Sequence, residues 1–189
     1  MSMTSFYTSE ELKTLGLGGY GNNVLISRYA RIYGASNIFI ENNVRIDDFC
    51  VLSISKELKI GNYVHIGCGS SIIGGGSVII SDFCGISGRV SIYSSCDDFS
   101  GNYLTNPMVD EQFTNVMHAP VILEKHVIIG CGSVLMPGIR LEEGVAIGAM
   151  SFVTQNCKGG FIYCGNPLKR LIPRSTKYKE LETKFLNSK

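Results

Sequence analysis

The chain has 189 residues, a formal net charge of +1 at neutral pH and 44% hydrophobic residues. This length fits one domain, residues 1–189, and the near-zero charge gives no reason to expect a nucleic-acid partner. No apolar run approaches the length of a membrane span, and the first residues lack the basic and apolar regions of a signal peptide. We therefore expect a cytoplasmic protein without a membrane span.

The first predicted element is a short helix over residues 5–15. Thr8 and Glu11 have the spacing of a capping box, and Leu12 and Leu15 fall on the face expected to pack inward. Residues 16–21 then match the letters of the dinucleotide fingerprint GxGxxG, which requires a strand before it and a helix after it. Here a helix precedes and a strand pattern follows, so we expect a flexible connection and no nucleotide site.

Over residues 20–93 and 121–157 an inward-pointing apolar residue recurs every six positions. A period of six matches neither the helical period near 3.6 nor the strand period of two. It does match short strands separated by corners. This is the hexapeptide signature of a parallel β-helix. The first residues of the units fall in triplets, which predict about six three-sided coils with one enlarged corner, at Gly74 to Gly76 among other places. They are Tyr20, Ile26, Ile32, Ile40, Ile46, Leu52, Ile60, Ile66, Ile72, Ile80, Ile86, Ile92, Leu123, Ile129, Leu135, Leu141, Ile147 and Val153.

The seven cysteines include no CxxC pair, so neither a zinc site nor redox chemistry is indicated. Cys50 and Cys84 occupy the fifth position of their units, where a small side chain faces inward. Cys68 and Cys131 lie at corners. Free thiols in a reducing cytoplasm are expected.

The repeat is interrupted from Ser94 to Pro120. A loop of this length inside a compact fold is usually functional. After the last coil, the segment that begins at Tyr163 predicts a turn with basic residues. An amphipathic helix with Tyr178 on its apolar face is expected from Ser175 to Asn187, within a terminal region of 163–188.

These features together resemble the left-handed β-helix acyltransferases, which use acyl-CoA and work as trimers. The handedness is implied by the resemblance alone. Four segments resemble more narrowly the N-acyltransferases of dTDP-4-amino-4,6-dideoxyglucose and related nucleotide-linked amino sugars, and the similarity covers nearly the whole chain. The segments are Phe6–Leu12, Asn43–Cys50, Asp97–Asn102 and Lys125–Gly130.

The resemblance implies roles for several polar residues. Many relatives place a histidine base at the start of the long loop, where this chain has Asp97. An amine needs less activation than a hydroxyl, so we expect Asp97 to orient the amine, with Ser87 and Asp98 as further substrate contacts. His118 and His65 are the alternative bases. Alternatively, Asp97 and Asp98 simply begin a loop, since aspartate is a common turn residue.

The resemblance also places coenzyme A along a groove between subunits, with five contact positions. Two depart from the family pattern, because Cys131 replaces a serine and Gln155 replaces a lysine common near the nucleotide phosphates. Lys169, Arg170 or Arg174 could compensate for the lost charge. Small residues at these places could equally serve only to permit tight corners. The expected contacts are Cys131, Ala149, Thr154, Gln155 and Lys169.

Three classes of function follow. The first is N-acylation of a nucleotide-linked amino sugar for surface polysaccharide, such as the O-antigen of lipopolysaccharide. The second is O-acetylation of a carbohydrate with a histidine base, and the third is a non-catalytic β-helix scaffold. A zinc site is not expected, because His65, His118 and His126 lack matched spacing; His126 is expected at an exposed corner or in a trimer seam.

Overall fold

The computed structural model describes residues 5–189. Three parallel sheets form the sides of a solenoid, as the hexapeptide pattern predicts. The first face contains six strands: β1 (Gly19–Tyr20), β4 (Ile38–Ile40), β7 (Leu58–Ile60), β10 (Val78–Ile80), β15 (Val121–Leu123) and β18 (Arg140–Leu141).

The second face contains seven parallel strands, and an eighth strand pairs antiparallel with the seventh at one edge. Its strands are β2 (Val24–Ile26), β5 (Val44–Ile46), β8 (His65–Ile66), β11 (Gly85–Ile86), β16 (Ile128–Ile129), β19 (Ala146–Ile147), β21 (Phe161–Cys164) and β22 (Lys169–Pro173). The solenoid thus has about seven turns instead of six. The expected turn after Tyr163 is present at residues 165–168, where it joins β21 to β22, and its basic residues Lys169 and Arg170 lie at the start of β22, which folds back on β21.

The third face contains six parallel strands. They are β3 (Arg31–Tyr33), β6 (Val51–Ile54), β9 (Ser71–Gly74), β12 (Ser91–Tyr93), β17 (Val134–Leu135) and β20 (Phe152–Val153). The predicted loop 94–120 leaves after β12 and contains the antiparallel pair β13 (Ser95–Cys96) and β14 (Met117–His118). A 3-10 helix lies within it at Glu111–Phe113, and another precedes β4 at Ala35–Asn37.

The apolar residues that begin the units stack directly above one another. On the second face Ile26 pairs with Ile46, Ile46 with Ile66, and this register continues through Ile147. These side chains are buried, and so are Cys50 and Cys84, as predicted. Tyr20 and Ile32 are exceptions, since both lie in strands at a sheet edge, where Tyr20 is exposed and Ile32 is only partly buried.

Each coil turns through residues in the left-handed backbone conformation. Asparagine and glycine tolerate it, whereas bulky residues adopt it at a cost. We call the turn from the first to the second face corner 1, and the turn from the second to the third face corner 2; corner 3 is the enlarged turn back to the first face. The positive-φ residues of corner 1 are Asn23, Asn43, Tyr63, Phe83, His126, Gly144 and Gly160, and those of corner 2 are Phe49, Gly69, Arg89, Gly132 and Met150.

The N-terminal helix α1 spans Ser9–Thr14, and the predicted capping box between Thr8 and Glu11 is present. The helix is shorter than predicted, and Leu12 is buried against the solenoid. The glycine-rich segment after it is not simply a flexible connection, because Gly19–Tyr20 pairs with β4. Gly18 is required there, since a Cβ atom would lie 2.4 Å from the Ser36 carbonyl oxygen.

The C-terminal helix α2 spans Lys177–Asn187 and packs on corner 1. Its Tyr178 ring lies 4.6 Å from the His126 ring, and Phe185 meets Tyr63 edge to face at 5.3 Å. His126 is therefore buried, and its Nε2 lies 2.7 Å from the Glu182 carboxylate. The expectation of an exposed or seam position for His126 is wrong, because this helix covers it. Among residues 5–189 no helix is long and apolar enough to cross a membrane.

Acid should release α2 from corner 1. The hydrogen bonds from Lys125 and then His126 outweigh desolvation and lower the pKa of Glu182. A carboxyl group with a lowered folded-state pKa stabilises the fold fully above its unfolded value, about 4.3, and loses that contribution as pH falls through the folded value. Hydrogen exchange of α2 should accelerate in that acid range. Glu182→Gln should remove this pH dependence, whereas Glu180→Gln, on an exposed residue of the same helix, should retain it.

Candidate functional site

Four predicted site residues lie in one column along corner 2. The registers Ile86–Ile129 and Ile129–Ile147 place Ser87 directly beneath the turns that hold Cys131 and Ala149. Lys169 pairs with Cys164 at the same end of the second face. An open cleft of about 610 Å³ runs along this column. It is lined by Cys68, Gly88, Arg89, Cys131, Gly132 and Met150.

The corner residues are small because successive turns touch. The backbone N–H of Ser87 donates to the Ile129 carbonyl at 3.0 Å, and that of Met150 donates to Cys131 at 2.9 Å. A Cβ atom on Gly130 would lie 2.4 Å from the Ala149 nitrogen. Small residues at these places therefore do permit tight corners, as one of the two interpretations expects. An exposed groove runs along the outer side of these corners.

The remaining predicted site residues lie at corner 3. Strands β13 and β14 pair where the long loop leaves and returns, and they bring His118 beside Ser95. The Ser95 hydroxyl lies 2.6 Å from His118 Nδ1 and accepts a hydrogen bond from the Gly75 backbone. A Cβ atom on Gly75 would lie 2.7 Å from His118 Nδ1, so glycine makes room for the returning strand. Thr154 and Gln155 follow β20 at the same corner.

The two adjacent aspartates of the loop have different surroundings. Asp97 is exposed and makes no hydrogen bond or ion pair within the described part of the chain. Asp98 accepts hydrogen bonds from Ser100 and, at 3.4 Å, from Asn115 across the loop. These bonds, above all those from Ser100, lower the pKa of Asp98. Asp98 thus stabilises the loop, while Asp97 presents a free carboxylate.

Ser87 and Asp97 do not meet within one copy of the chain. Ser87 precedes the third face at corner 2, and Asp97 follows it at corner 3, with β12 between them. At about 3.3 Å per extended residue, residues 90–94 alone separate the two corners by roughly 13 Å. The predicted site residues of one copy therefore form two separate groups, one along each edge of the third face, which we call the two half-sites.

The basic residues near the coenzyme A positions are not equivalent. Arg174 donates to the carbonyls of His126 at 2.8 Å and Gly144 at 3.1 Å, so it anchors the C-terminal segment and cannot compensate for Gln155. Arg170 stacks over Phe161 at 4.6 Å. Lys169 is exposed, and within residues 5–189 it makes no ion pair.

Sequence reasoning missed the internal contacts of the segment Asn43–Cys50. Asp47 accepts hydrogen bonds from Arg45 Nε at 2.7 Å and interacts with His65 Nε2 at 2.7 Å. These contacts lower the pKa of Asp47, although its partial burial alone would raise it. His65 thus has a structural partner on the outer side of the second face. The segment had stood out only by its resemblance to the family.

The cysteines divide as predicted into buried and corner positions. All seven thiols are free. Burial raises the pKa of Cys50 to about 11 and that of Cys84 to about 12. Cys68 and Cys131 are exposed. No group of three or more histidine, cysteine, aspartate or glutamate side chains in the described part of the chain is arranged to hold a metal ion.

The fold and the corner columns define the chain as a hexapeptide-repeat acyltransferase. No family model matches it. A dTDP-4-amino-4,6-dideoxy-D-glucose acyltransferase from Escherichia coli is 50% identical over 176 residues, covering 93% of this chain and 92% of the relative. The chain belongs to this family of sugar-nucleotide N-acyltransferases.

Solved structures agree with this assignment. A mutant of AntD, an N-acyltransferase from Bacillus cereus, in complex with dTDP-4-amino-4,6-dideoxyglucose and coenzyme A, aligns with a TM-score of 0.95 and 46% identity, over 99% of this chain and 100% of that chain. A hexapeptide-repeat acetyltransferase from Vibrio cholerae, complexed with acetyl-CoA, aligns with a TM-score of 0.63 and 16% identity, over 89% of this chain and 79% of that protein. The second likeness shows the fold alone.

Thiol labelling should separate the two groups of cysteines. A thiolate is the reactive species, so the exposed Cys68 and Cys131 should react with iodoacetamide at neutral pH, whereas Cys50 and Cys84 should react only after unfolding. Peptide mass spectrometry over a time course measures this, with Cys131→Ser as the control that removes one fast site. Fast labelling of Cys50 in the folded protein would contradict the burial of its coil.

Proposed function

We propose that the protein transfers an acyl group from acyl-CoA to the 4-amino group of dTDP-4-amino-4,6-dideoxyglucose. The observation that carries the proposal is the whole-length match to AntD, which has been solved with that sugar nucleotide and coenzyme A, and with dTDP and 3-hydroxybutyryl-CoA. The open cleft of about 610 Å³ at corner 2 supports it, since a groove of this size can take an extended pantetheine chain, and four of its six lining residues are glycine or cysteine.

The chemistry requires little activation. The neutral amine attacks the thioester carbonyl, forms the C–N bond and generates an oxyanion. Collapse of this tetrahedral intermediate breaks the C–S bond and releases the coenzyme A thiolate. The ammonium proton then leaves the nitrogen, and the departing thiolate can receive it. The protein needs only to hold the amine neutral, oriented and close to the thioester.

Asp97 and Ser87 suit this task. The Asp97 carboxylate can accept a hydrogen bond from the amine and direct its lone pair at the thioester, and the Ser87 hydroxyl can donate to the sugar. Variants of AntD have been solved at one serine and one aspartate that lie ten positions apart, the same separation as Ser87 and Asp97. Asp98 then contributes by holding the loop, and His118 is a second candidate for proton transfer.

The two half-sites imply that neighbouring copies complete each other. In a closed cyclic trimer, corner 2 of one copy would face corner 3 of the next. Coenzyme A would then contact Cys131, Ala149 and Lys169 from one copy and Thr154 and Gln155 from its neighbour.

The long loop supports this arrangement, because it exposes large apolar side chains that a solitary copy would leave in water. Phe99 is 90% exposed and Met108 is 92% exposed. We therefore include a homotrimer in the proposal.

The biological setting is part of the proposal. The use of acyl-CoA and the seven free thiols fit the cytoplasm. An N-acylated sugar nucleotide is a precursor for glycosyl transfer, so the product would enter a surface polysaccharide such as the O-antigen of lipopolysaccharide.

Asp97→Asn should reduce kcat/KM for the amino sugar by roughly a hundredfold, the scale on which a misplaced reacting group slows a reaction that depends on orientation. His118→Ala should leave most activity, because the amine needs no strong base. The measurement is release of coenzyme A thiol with acetyl-CoA or 3-hydroxybutyryl-CoA and a panel of dTDP- and UDP-linked sugars. The reverse result, or turnover only of sugars that lack an amine, would favour O-acetylation.

Mixed assembly tests the shared site. Ser87→Ala and Asp97→Ala variants should each be nearly inactive as homotrimers. When the two are refolded or coexpressed together, random assembly in a cyclic trimer leaves about one quarter of the interfaces with both native residues. Activity should therefore recover to about one quarter of the wild-type value. If both residues acted within one copy, the mixture would stay inactive.

A further inference from the structure

We propose that the C-terminal end of the solenoid binds an anionic lipid surface, with Leu171 and Ile172 entering the headgroup region and Lys177 facing the lipid phosphates. This inference goes beyond the proposed function, because it concerns where the protein acts. It uses no residue that is assigned to the sugar nucleotide or to coenzyme A.

Positive charge is concentrated at the end of the chain. Residues 169–189, which contain β22 and α2, include seven basic and two acidic residues, a formal net charge of +5. Residues 1–168 include ten basic and fourteen acidic residues, a formal net charge of −4. The near-zero total charge therefore hides one strongly basic segment, of the kind that anionic lipids attract.

The basic segment begins at the last coil of the solenoid. β22 is the outermost strand of the second face, so its unpaired edge points out of the end of the solenoid. The backbone N–H of Arg174 donates to the Gly160 carbonyl at 2.8 Å. Lys179 forms an ion pair with Glu143 at 2.8 Å, so the start of α2 is held beside the same coils. Lys177 lies between these two anchors, is exposed, and makes no ion pair within residues 5–189.

Two aliphatic side chains are exposed beside these cations. Leu171 is 57% exposed and Ile172 is 59% exposed, although consecutive residues of a strand point to opposite sides. Both are exposed because β22 is an edge strand, all five residues of which are exposed. Segments that bind at a bilayer interface combine such aliphatic side chains with lysine and arginine.

A β-bulge in β22 favours lipid over a strand of another protein. Ile172 pairs with Ile162 in β21. Arg170 pairs with Tyr163, so Leu171 between the two pairs has no partner. A bulge interrupts the ladder and redirects the side chain, which makes an edge strand a poor template for a further strand. A fluid lipid surface accepts such an irregular edge, because lipids rearrange around it.

The proposed homotrimer multiplies this contact. In a cyclic trimer whose solenoids lie side by side, the three C-terminal ends point in the same direction. One flat lipid surface then meets three basic segments and three pairs of aliphatic side chains at once. Linked contacts of this kind bind much more tightly than one contact alone.

Co-sedimentation of the full-length protein with lipid vesicles tests this surface. The protein should bind phosphatidylcholine vesicles that contain about one third phosphatidylglycerol, but not vesicles of phosphatidylcholine alone, and added salt should weaken the binding. Lys177→Gln should weaken binding about fivefold, the scale for one cation near an anionic lipid surface. The double variant Leu171→Ser, Ile172→Ser should weaken it about tenfold or more, because two aliphatic side chains no longer leave water.

Two matched controls should bind the anionic vesicles like the wild type. Arg31→Gln removes one exposed positive charge from β3, at the opposite end of the solenoid. Leu25→Ser changes an aliphatic side chain that is 37% exposed on β2, at that same opposite end. Thermal unfolding followed by circular dichroism should show that all the variants are folded.

Several results would overturn the proposal. The wild type binding neither kind of vesicle, or both equally well, would do so. Unchanged binding of the anionic vesicles by Lys177→Gln and by the double variant would place any lipid contact elsewhere on the protein. If the double variant loses the oligomer in solution while its lipid binding is unchanged, this surface belongs to contact between copies.

A competition experiment separates lipid binding from binding of coenzyme A phosphates. Saturating coenzyme A should leave the protein on the anionic vesicles, because Lys177, Leu171 and Ile172 lie outside the expected coenzyme A contacts. Release by coenzyme A would refute the proposal and assign vesicle binding to the coenzyme A positions, such as Lys169.

Discussion

The backbone of each coil is hydrogen-bonded to the coils on either side of it, and the rest of the molecule depends on this constraint. The ladder holds successive coils about 4.8 Å apart and leaves no freedom in register. Side chains that point inward must therefore fill the same narrow space in every coil, which isoleucine, leucine and valine do along all three faces. Side chains at the corners do not have to fill the interior of the coil, so polar and charged functional groups can occupy the corners.

The three corners have accordingly taken different roles. Corner 1 carries an aromatic column that includes His126 and is covered by α2. Corner 2 is open, with the small residues Ser87, Cys131 and Ala149 in one row and the larger Arg89 and Met150 beside them. Corner 3 carries the long loop, whose return beside Gly75 leaves Asp97 exposed. Because the ladder is regular, residues at the same corner of successive coils lie in a row about 4.8 Å apart. An extended ligand can therefore contact one coil after another.

In the proposed assembly the site is divided between two edges of the third face, which links catalysis to the association of copies. A single copy presents the exposed Asp97 carboxylate at one edge and an open groove at the other, roughly 13 Å or more apart. The proposed reaction needs both edges and therefore two neighbouring copies. The apolar side chains exposed on the long loop give a physical reason for copies to associate at that edge. Since an amine is already a competent nucleophile, alignment of the two substrates is the main demand on such an assembly.

The sequence by itself determined the three-sided coil, the inward residues, the capping box and the place of the interruption, because each of these depends on side-chain direction within a few residues. It also determined the family, through short segments that match it. Only the tertiary structure decided that α2 buries His126, that Arg174 anchors carbonyls instead of meeting phosphates, and that β21 and β22 extend the second face. It also placed Ser87 and Asp97 at opposite edges. These outcomes depend on contacts between residues far apart in the chain, and a local six-residue period carries no information about which distant segment covers a given corner.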